Sequence, residues 1–167
     1  ALNVLGITTV AGNVQLEKVV RNTLLVVEHS GKQVPVFRGA SRPLTGSLRT
    51  AEYVHGHDGL GDIGFPDPQS NADDEHAVNF IIRTFMQATR PVDLITLAPL
   101  TNIALALSKE PKLEDRIHSL VMMAGGITGG NITPMAEFNV YTDPEATDIV
   151  LRSRIPKTMV PLEPIVE

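Results

Sequence analysis

The sequence predicts an α/β protein of the doubly wound kind: a mostly parallel sheet with helices on both faces. Three observations predict it. Short aliphatic runs alternate with segments of helical period. No hairpin signal separates consecutive runs, so the strands are expected to be parallel and joined by crossover helices. The runs are near-continuously apolar, as strands are when both sheet faces are covered.

Residues 2–10 are aliphatic and β-branched, predicting a first strand closed by Ala11-Gly12-Asn13. Leu16, Val19, Val20, Thr23, Leu24 and Val27 then recur at helical spacing and stop at Gly31. Val34-Pro35-Val36-Phe37 predicts a second short strand. Residues 40–72 are rich in Gly, Pro, Ser and Asp without a period, and an irregular stretch of that length in a compact domain is usually functional or mobile. Asp73-Asp74-Glu75 suits the positive end of a helix that buries Val78, Ile81, Ile82 and Phe85. A strand over 92–97 follows, then a helix through Leu100, Ile103, Ala104 and Leu107, and a strand over 119–123. Thr142-Asp-Pro-Glu145 has capping-box spacing and opens a helix with Ala146, Ile149 and Val150 inward. A last strand is predicted over 158–162. With no repeat and no second domain in the pattern, residues 1–167 read as one domain.

Composition narrows the function classes. The 167 residues are 43% apolar and 20% charged, enough for a real core and too balanced for a disordered segment. With 14 Lys and Arg against 19 Asp and Glu the net charge is −5, which argues against nucleic acid or an acidic membrane surface as partner. Zero cysteines exclude disulfides, thiolate metal sites and a cysteine nucleophile, and they suit a reducing cytoplasm. No window has the roughly eighteen continuous apolar residues of a membrane span. The start, Ala1-Leu2-Asn3-Val4, is neither a signal peptide nor an initiator methionine and reads as the interior of a longer pattern.

In an open parallel sheet, ligands bind beyond the carboxyl ends of the strands. There the sequence places Thr8-Thr9-Val10-Ala11-Gly12-Asn13, then Thr96-Leu97-Ala98-Pro99-Leu100-Thr101-Asn102, then Ala124-Gly125-Gly126 leading to Asn131 and Glu137-Phe138-Asn139. These are short amides, hydroxyls and carboxylates with almost no Lys or Arg, a rim suited to a neutral, hydroxyl-rich ligand rather than a phosphate. Asn13 and Asn102 equally suit helix caps or turns. Gly125-Gly126 and Gly129-Gly130 lack the spacing of a phosphate-binding loop. Glu137 sits in an apolar setting, where a carboxylate is either paired or functional. His55-Gly56-His57-Asp58 offers two histidines in a loop without a third nearby ligand, a poor zinc site. Ser41, Ser47 and Ser108 have no nucleophile-elbow context.

Taken together, the motifs resemble the inosine–uridine-preferring nucleoside hydrolases. Gly6-Ile7-Thr8-Thr9-Val10-Ala11-Gly12-Asn13 with Val20-Arg21-Asn22, then His55-Gly56 with Asp58-Gly59-Leu60, resemble that family's second strand, following helix and active-site loop. Leu97-Ala98-Pro99-Leu100-Thr101-Asn102-Ile103-Ala104 resembles its central loop. Met123-Ala124-Gly125-Gly126, Asn131, Ala136-Glu137-Phe138-Asn139 and Asp143-Pro144-Glu145-Ala146 follow in the family's order.

The resemblance implies a Rossmann-like fold and hydrolysis of the N-glycosidic bond of ribonucleosides to ribose and free base. It implies ribose-hydroxyl contacts from Asn131, Glu137 and Asn139, an asparagine near the reacting sugar at Asn13, a methionine against the ribose at Met123, and a histidine at the pocket mouth at His55. It also implies a bound Ca²⁺, with the Leu97 carbonyl as one ligand where the family usually has a threonine. The family's Asp-rich strand, with calcium-binding carboxylates and the general base, belongs before Ala1, and further ligands belong beyond Glu167. The chain is therefore expected to be the central portion of a larger hydrolase domain, to retain no catalytic base, to hold calcium weakly and to be inactive alone. The first strand is expected to leave an open edge, covered by a second copy or by complementary chain segments. The alternatives are a non-catalytic ribose-binding module, or a structural remnant in which Glu137 has a cation partner.

Overall fold

The computed structural model describes residues 2–166. In chain order the elements are β1 (Ile7–Thr8), α1 (Leu16–His29), β2 (Val36–Phe37), α2 (Glu52–His55), α3 (Ala77–Gln87), β3 (Asp93–Thr96), α4 (Thr101–Lys109), a 3₁₀ turn (Pro111–Asp115), β4 (Ser119–Met123), α5 (Phe138–Thr142), α6 (Pro144–Arg152), β5 (Lys157–Val160) and α7 (Glu163–Val166). Every strand pair is parallel, and the α/β architecture is the one the alternating pattern predicts.

The strands form two ladders. β1 pairs with β2, Ile7 against Val36 and Thr8 against Phe37. β3, β4 and β5 form a separate ladder in that order, Leu94 against Leu120 and Met122 against Met159. One face of the larger ladder buries Leu120, Met122 and Ala124 under α3, α4 and α6, which contribute Ile81, Phe85, Ile103, Ala104, Leu107, Ala146 and Val150. Because side chains alternate along a strand, Ile95 and Leu97 lie on the other face of β3, exposed at 53% and 76%.

The first strand is shorter than predicted. Leu2, Val4 and Leu5 are exposed, and the ladder begins at Ile7, where Pro35 and Phe37 supply carbonyls for the Ile7 and Thr9 amides. An apolar run becomes a strand only where a partner edge exists, and residues 2–5 have none among the described residues. α1 buries Leu16, Val20 and Leu24 against Val36 and Ala11, and it ends at Gly31, whose φ of +67° suits glycine.

Two predicted helix starts move. Asp73 and Glu75 precede α3 instead of lying in its first turn: the Asp73 amide bonds to the Val36 carbonyl, extending past β2, and His76 caps the helix through Nδ1. At α6 the cap is Asp143 rather than Thr142, whose hydroxyl instead donates back to the Phe138 carbonyl at the start of α5. The irregular stretch 40–72 holds one four-residue helix, α2. Among the described residues no helix is long and apolar enough to cross a membrane.

Candidate functional site

α5 follows the glycine-rich loop after β4 and begins with a carboxylate cap. Glu137 is 2% exposed. Its Oε1 accepts from the Asn139 amide at 2.8 Å, and its Oε2 accepts from the Gly125 and Val140 amides at 3.1 and 3.2 Å. A charge so buried is tolerated because backbone N–H groups at a helix start favour an anion. Among the described residues Glu137 forms no ion pair. The cation partner expected of a collapsed remnant is absent from its hydrogen bonds.

The neighbouring polar groups converge on this carboxylate. Asn139 donates through Nδ2 to the Met123 carbonyl and sulfur, at 3.2 and 3.1 Å, joining α5 to the end of β4. Asn131 accepts the Phe138 amide on Oδ1 at 2.8 Å, so its loop is stapled between Glu137 and Asn139. Met123, Asn131, Glu137 and Asn139 therefore form one connected group. The donations made by Asn139 leave its Oδ1 as an acceptor for another molecule, and Asn131 has its amide NH₂ to offer.

The glycine loop is fastened from a second side. Glu163, the first residue of α7, accepts on Oε1 from the Ile127 and Thr128 amides, both at 2.8 Å, and from the Thr128 hydroxyl at 3.0 Å. The Thr128 amide and Glu163's own hold this carboxyl down to about 2, with the Ile127 amide and Thr128 hydroxyl adding to them. The amides a phosphate would need are thus occupied by a carboxylate. At Gly130 an added Cβ would lie 2.1 Å from the Ala136 carbonyl, so the loop's return requires glycine.

The remaining predicted residues form a second group at the smaller ladder. Asn13 is exposed on the loop after β1, and its carbonyl accepts the Ala51 amide at 2.8 Å. Ala51 begins the turn into α2 and accepts the His55 amide, so Asn13 and His55 share one local unit. Leu97 stands apart at the end of β3. The two groups meet through Arg49, whose Nη1 donates to the Tyr141 hydroxyl at 2.6 Å, and through Gly12, which packs against Pro99.

Two residues matter more than their sequence context suggested. Asn102 lies in the first turn of α4 and caps nothing; the residue before that helix, Leu100, makes no side-chain cap either. Its Nδ2 donates to the Thr9 carbonyl at 2.8 Å, and its Oδ1 accepts the Ala40 amide at 2.9 Å, so one carboxamide ties the carboxyl ends of β1 and β2 to the helix after β3. The close approach explains Gly39, where a Cβ would sit 2.2 Å from the Thr9 carbonyl. Asp143 is fully buried and accepts from the Thr101 hydroxyl, the Leu44 amide and the Ala146 amide, at 2.6, 2.9 and 3.0 Å. An Asn three residues after a proline, and an Asp before a helix-opening Pro, were the available signals.

A Ca²⁺ ion takes roughly six to eight oxygen ligands, several of them anionic. Among the described residues no three His, Asp or Glu side chains gather to hold a metal. Leu97 offers one carbonyl and the neighbouring side chains are neutral amides. These residues do not fit a calcium site by themselves.

Comparison with known proteins gives this geometry its setting. Residues 1–166 match the family model described as inosine-uridine preferring nucleoside hydrolase. The chain is 43% identical over 163 residues to the pyrimidine-specific ribonucleoside hydrolase RihA of Photobacterium profundum, covering 97% of this chain and 53% of the relative. It is 41% identical to the inosine-uridine preferring nucleoside hydrolase of Leishmania major, covering 97% and 52%. The solved structure of a purine-preferring ribonucleoside hydrolase from Gardnerella vaginalis superposes with a TM-score of 0.88 at 38% identity, covering 96% of this chain and 52% of that one. The chain spans about half the length of the curated relatives it matches. With its two parallel ladders and its polar rim, the chain belongs to the inosine-uridine preferring nucleoside hydrolase family.

Proposed function

We propose that this chain is the central portion of a larger hydrolase domain that cleaves ribonucleosides to ribose and free base, and that it supplies the ribose-gripping side of the site. The observation that carries this is the connected group Met123, Asn131, Glu137 and Asn139, whose buried carboxylate is aimed by backbone amides. Loss of the base leaves positive charge on the ribose, and a fixed anion beside the sugar hydroxyls stabilises it. Asn131 and Asn139 hold hydroxyls, Met123 packs on the sugar, and Asn13 and His55 close the cup from the smaller ladder over the 40–72 loop. Relatives include pyrimidine-specific and purine-preferring enzymes, so the substrate class stops at ribonucleosides, in a cytoplasmic salvage role.

The complete site needs a partner. Among the described residues β1 and β3 belong to separate ladders and are tied only indirectly, through Asn102 of α4 on the Thr9 carbonyl, so a parallel strand between the two ladders would join them. We propose that a complementary segment or a second copy supplies it, and that the same segment brings the acidic groups on which calcium and the general base depend. The chain alone then neither binds calcium tightly nor turns over nucleosides.

The test has two arms. Purified chain should release no ribose from inosine or uridine and should self-associate; turnover at the rate of a complete family enzyme, or a monodisperse monomer, counts against the partner. In a competent assembly Glu137→Gln should lower kcat/KM by about 10²-fold, the scale of one charge-assisted contact; unchanged kinetics would remove the ribose role. A non-catalytic ribose-binding module is the second reading, motivated by the finding that among the described residues no three His, Asp or Glu side chains gather to hold a metal. Calcium-independent affinity for ribose without turnover in any assembly would select it.

A further inference from the structure

We propose that residues 40–51 form a strap whose outer latch, Arg49 on Tyr141, sets the spacing between the two sides of the ribose cup. The proposal rests on the reading of the site given above. The strap leaves β2 and crosses to the larger ladder, and four contacts fix it along the way. The Ala40 amide goes to Asn102 Oδ1 at 2.9 Å, and the Leu44 amide to Asp143 Oδ2 at 2.9 Å. Arg49 Nη1 donates to the Tyr141 hydroxyl at 2.6 Å, with the guanidinium carbon 5.3 Å from the ring centroid. The Ala51 amide ends the strap on the Asn13 carbonyl at 2.8 Å.

These anchors differ in kind. At 40, 44 and 51 a backbone amide is held, the first two by buried side chains of the larger half. The Arg49 anchor joins two side chains at the solvent-exposed surface, so it is the contact that opens first. Its position gives it leverage. Tyr141 lies in α5, two residues beyond Asn139 and four beyond the Glu137 cap, while Arg49 lies two residues before Ala51 and six before His55. Opening the latch lets the strap between 44 and 51 move and carries the Asn13–His55 side away from α5. The buried carboxylate keeps its backbone amides throughout. Substrate binding should therefore weaken while the chemical step is spared, which makes Arg49 a positioning residue and not a catalytic one.

The experiment pairs amide hydrogen exchange on the chain with steady-state kinetics on inosine and uridine in a competent assembly. Arg49→Ala should speed exchange of the hydrogen-bonded Leu44 and Ala51 amides that flank the latch about five- to tenfold, leave α4 unchanged, raise KM about fivefold and keep kcat within twofold. Tyr141→Phe, which keeps the ring and removes the acceptor oxygen, should fall between wild type and Arg49→Ala. Arg49→Lys should recover part of the KM through its ammonium donor. Unchanged exchange at both Leu44 and Ala51 in Arg49→Ala would overturn the latch. Faster exchange with KM unmoved, or kcat falling at constant KM, would overturn its role in the cup. If no assembly containing the wild-type chain turns over nucleosides, the hydrolase reading fails and the exchange data alone judge the latch.

Discussion

The two ladders are held in different ways. The three-stranded ladder rests on a continuous apolar layer from Val78 through Leu120 and Met122 to Val150 and Ile155. The two-stranded ladder has four paired residues and a small cluster of Ala11, Leu16, Val20, Leu24 and Val36, with Phe37 stacked on Phe80 of α3 at 3.8 Å between centroids. Burial folds the larger half. The smaller half depends on polar ties reaching across from it, above all Asn102. The candidate site straddles that difference, with its anionic group on the firm side and Asn13 and His55 on the softer one.

The largest effect should come from emptying the larger core. Leu120→Ala removes a fully buried side chain from the central strand β4 and should cost about 3–5 kcal/mol, read as a drop in the urea midpoint for the whole molecule. Next comes the tie between the halves. Asn102→Ala strands the Thr9 carbonyl and the Ala40 amide and should cost about 2–4 kcal/mol. Hydrogen exchange should show protection lost in β1 and at Ala40 while β4 stays protected; uniform loss would mean the halves fold as one unit. A smaller effect is expected at Val36→Ala, about 2 kcal/mol from two buried methyl groups. It should appear as local opening of β1, α1 and β2 rather than a shift of the global transition.

The smallest prediction concerns the glycine loop. Glu163 is ionised below its ordinary range, so the native clamp is favoured above pH 4.5 and is lost as the pH falls from 4.5 toward about 2. The Ile127 and Thr128 amide resonances should follow that acid titration and lose it in Glu163→Gln. A midpoint at 4.5 would mean that the clamp does not form in solution.

Most of the architecture was legible because burial writes itself into periodicity. The stripes of α1, α3, α4 and α6 and the apolar runs of β3 and β4 are visible as spacing alone. The first strand was overread because residues 2–5 carry strand propensity, while pairing depends on a neighbour that no local pattern encodes. The start of α3 was misplaced for a related reason: three acids fit a helix dipole, but Asp73 was already committed to Val36. Within the candidate site, Asn131, Glu137 and Asn139 were found through motif order and lie together. Asn102 stayed hidden as an ordinary cap or turn residue, and Asp143 inside a capping box assigned to Thr142, because their partners, Thr9, Ala40 and Leu44, are remote in sequence.

The way Glu137 is held has a consequence for drift among relatives of this chain. Its three donors are peptide groups at positions 125, 139 and 140, so no side chain is needed to aim it, although Gly125, at φ +73°, holds a turn that favours glycine. Exchanging Val140 for another aliphatic leaves the aim of the carboxylate untouched, so position 140 is free to vary around a fixed carboxylate. The pose is written in main chain and is set in the folded chain itself, so any ligand meeting this carboxylate is spared the entropy of ordering it.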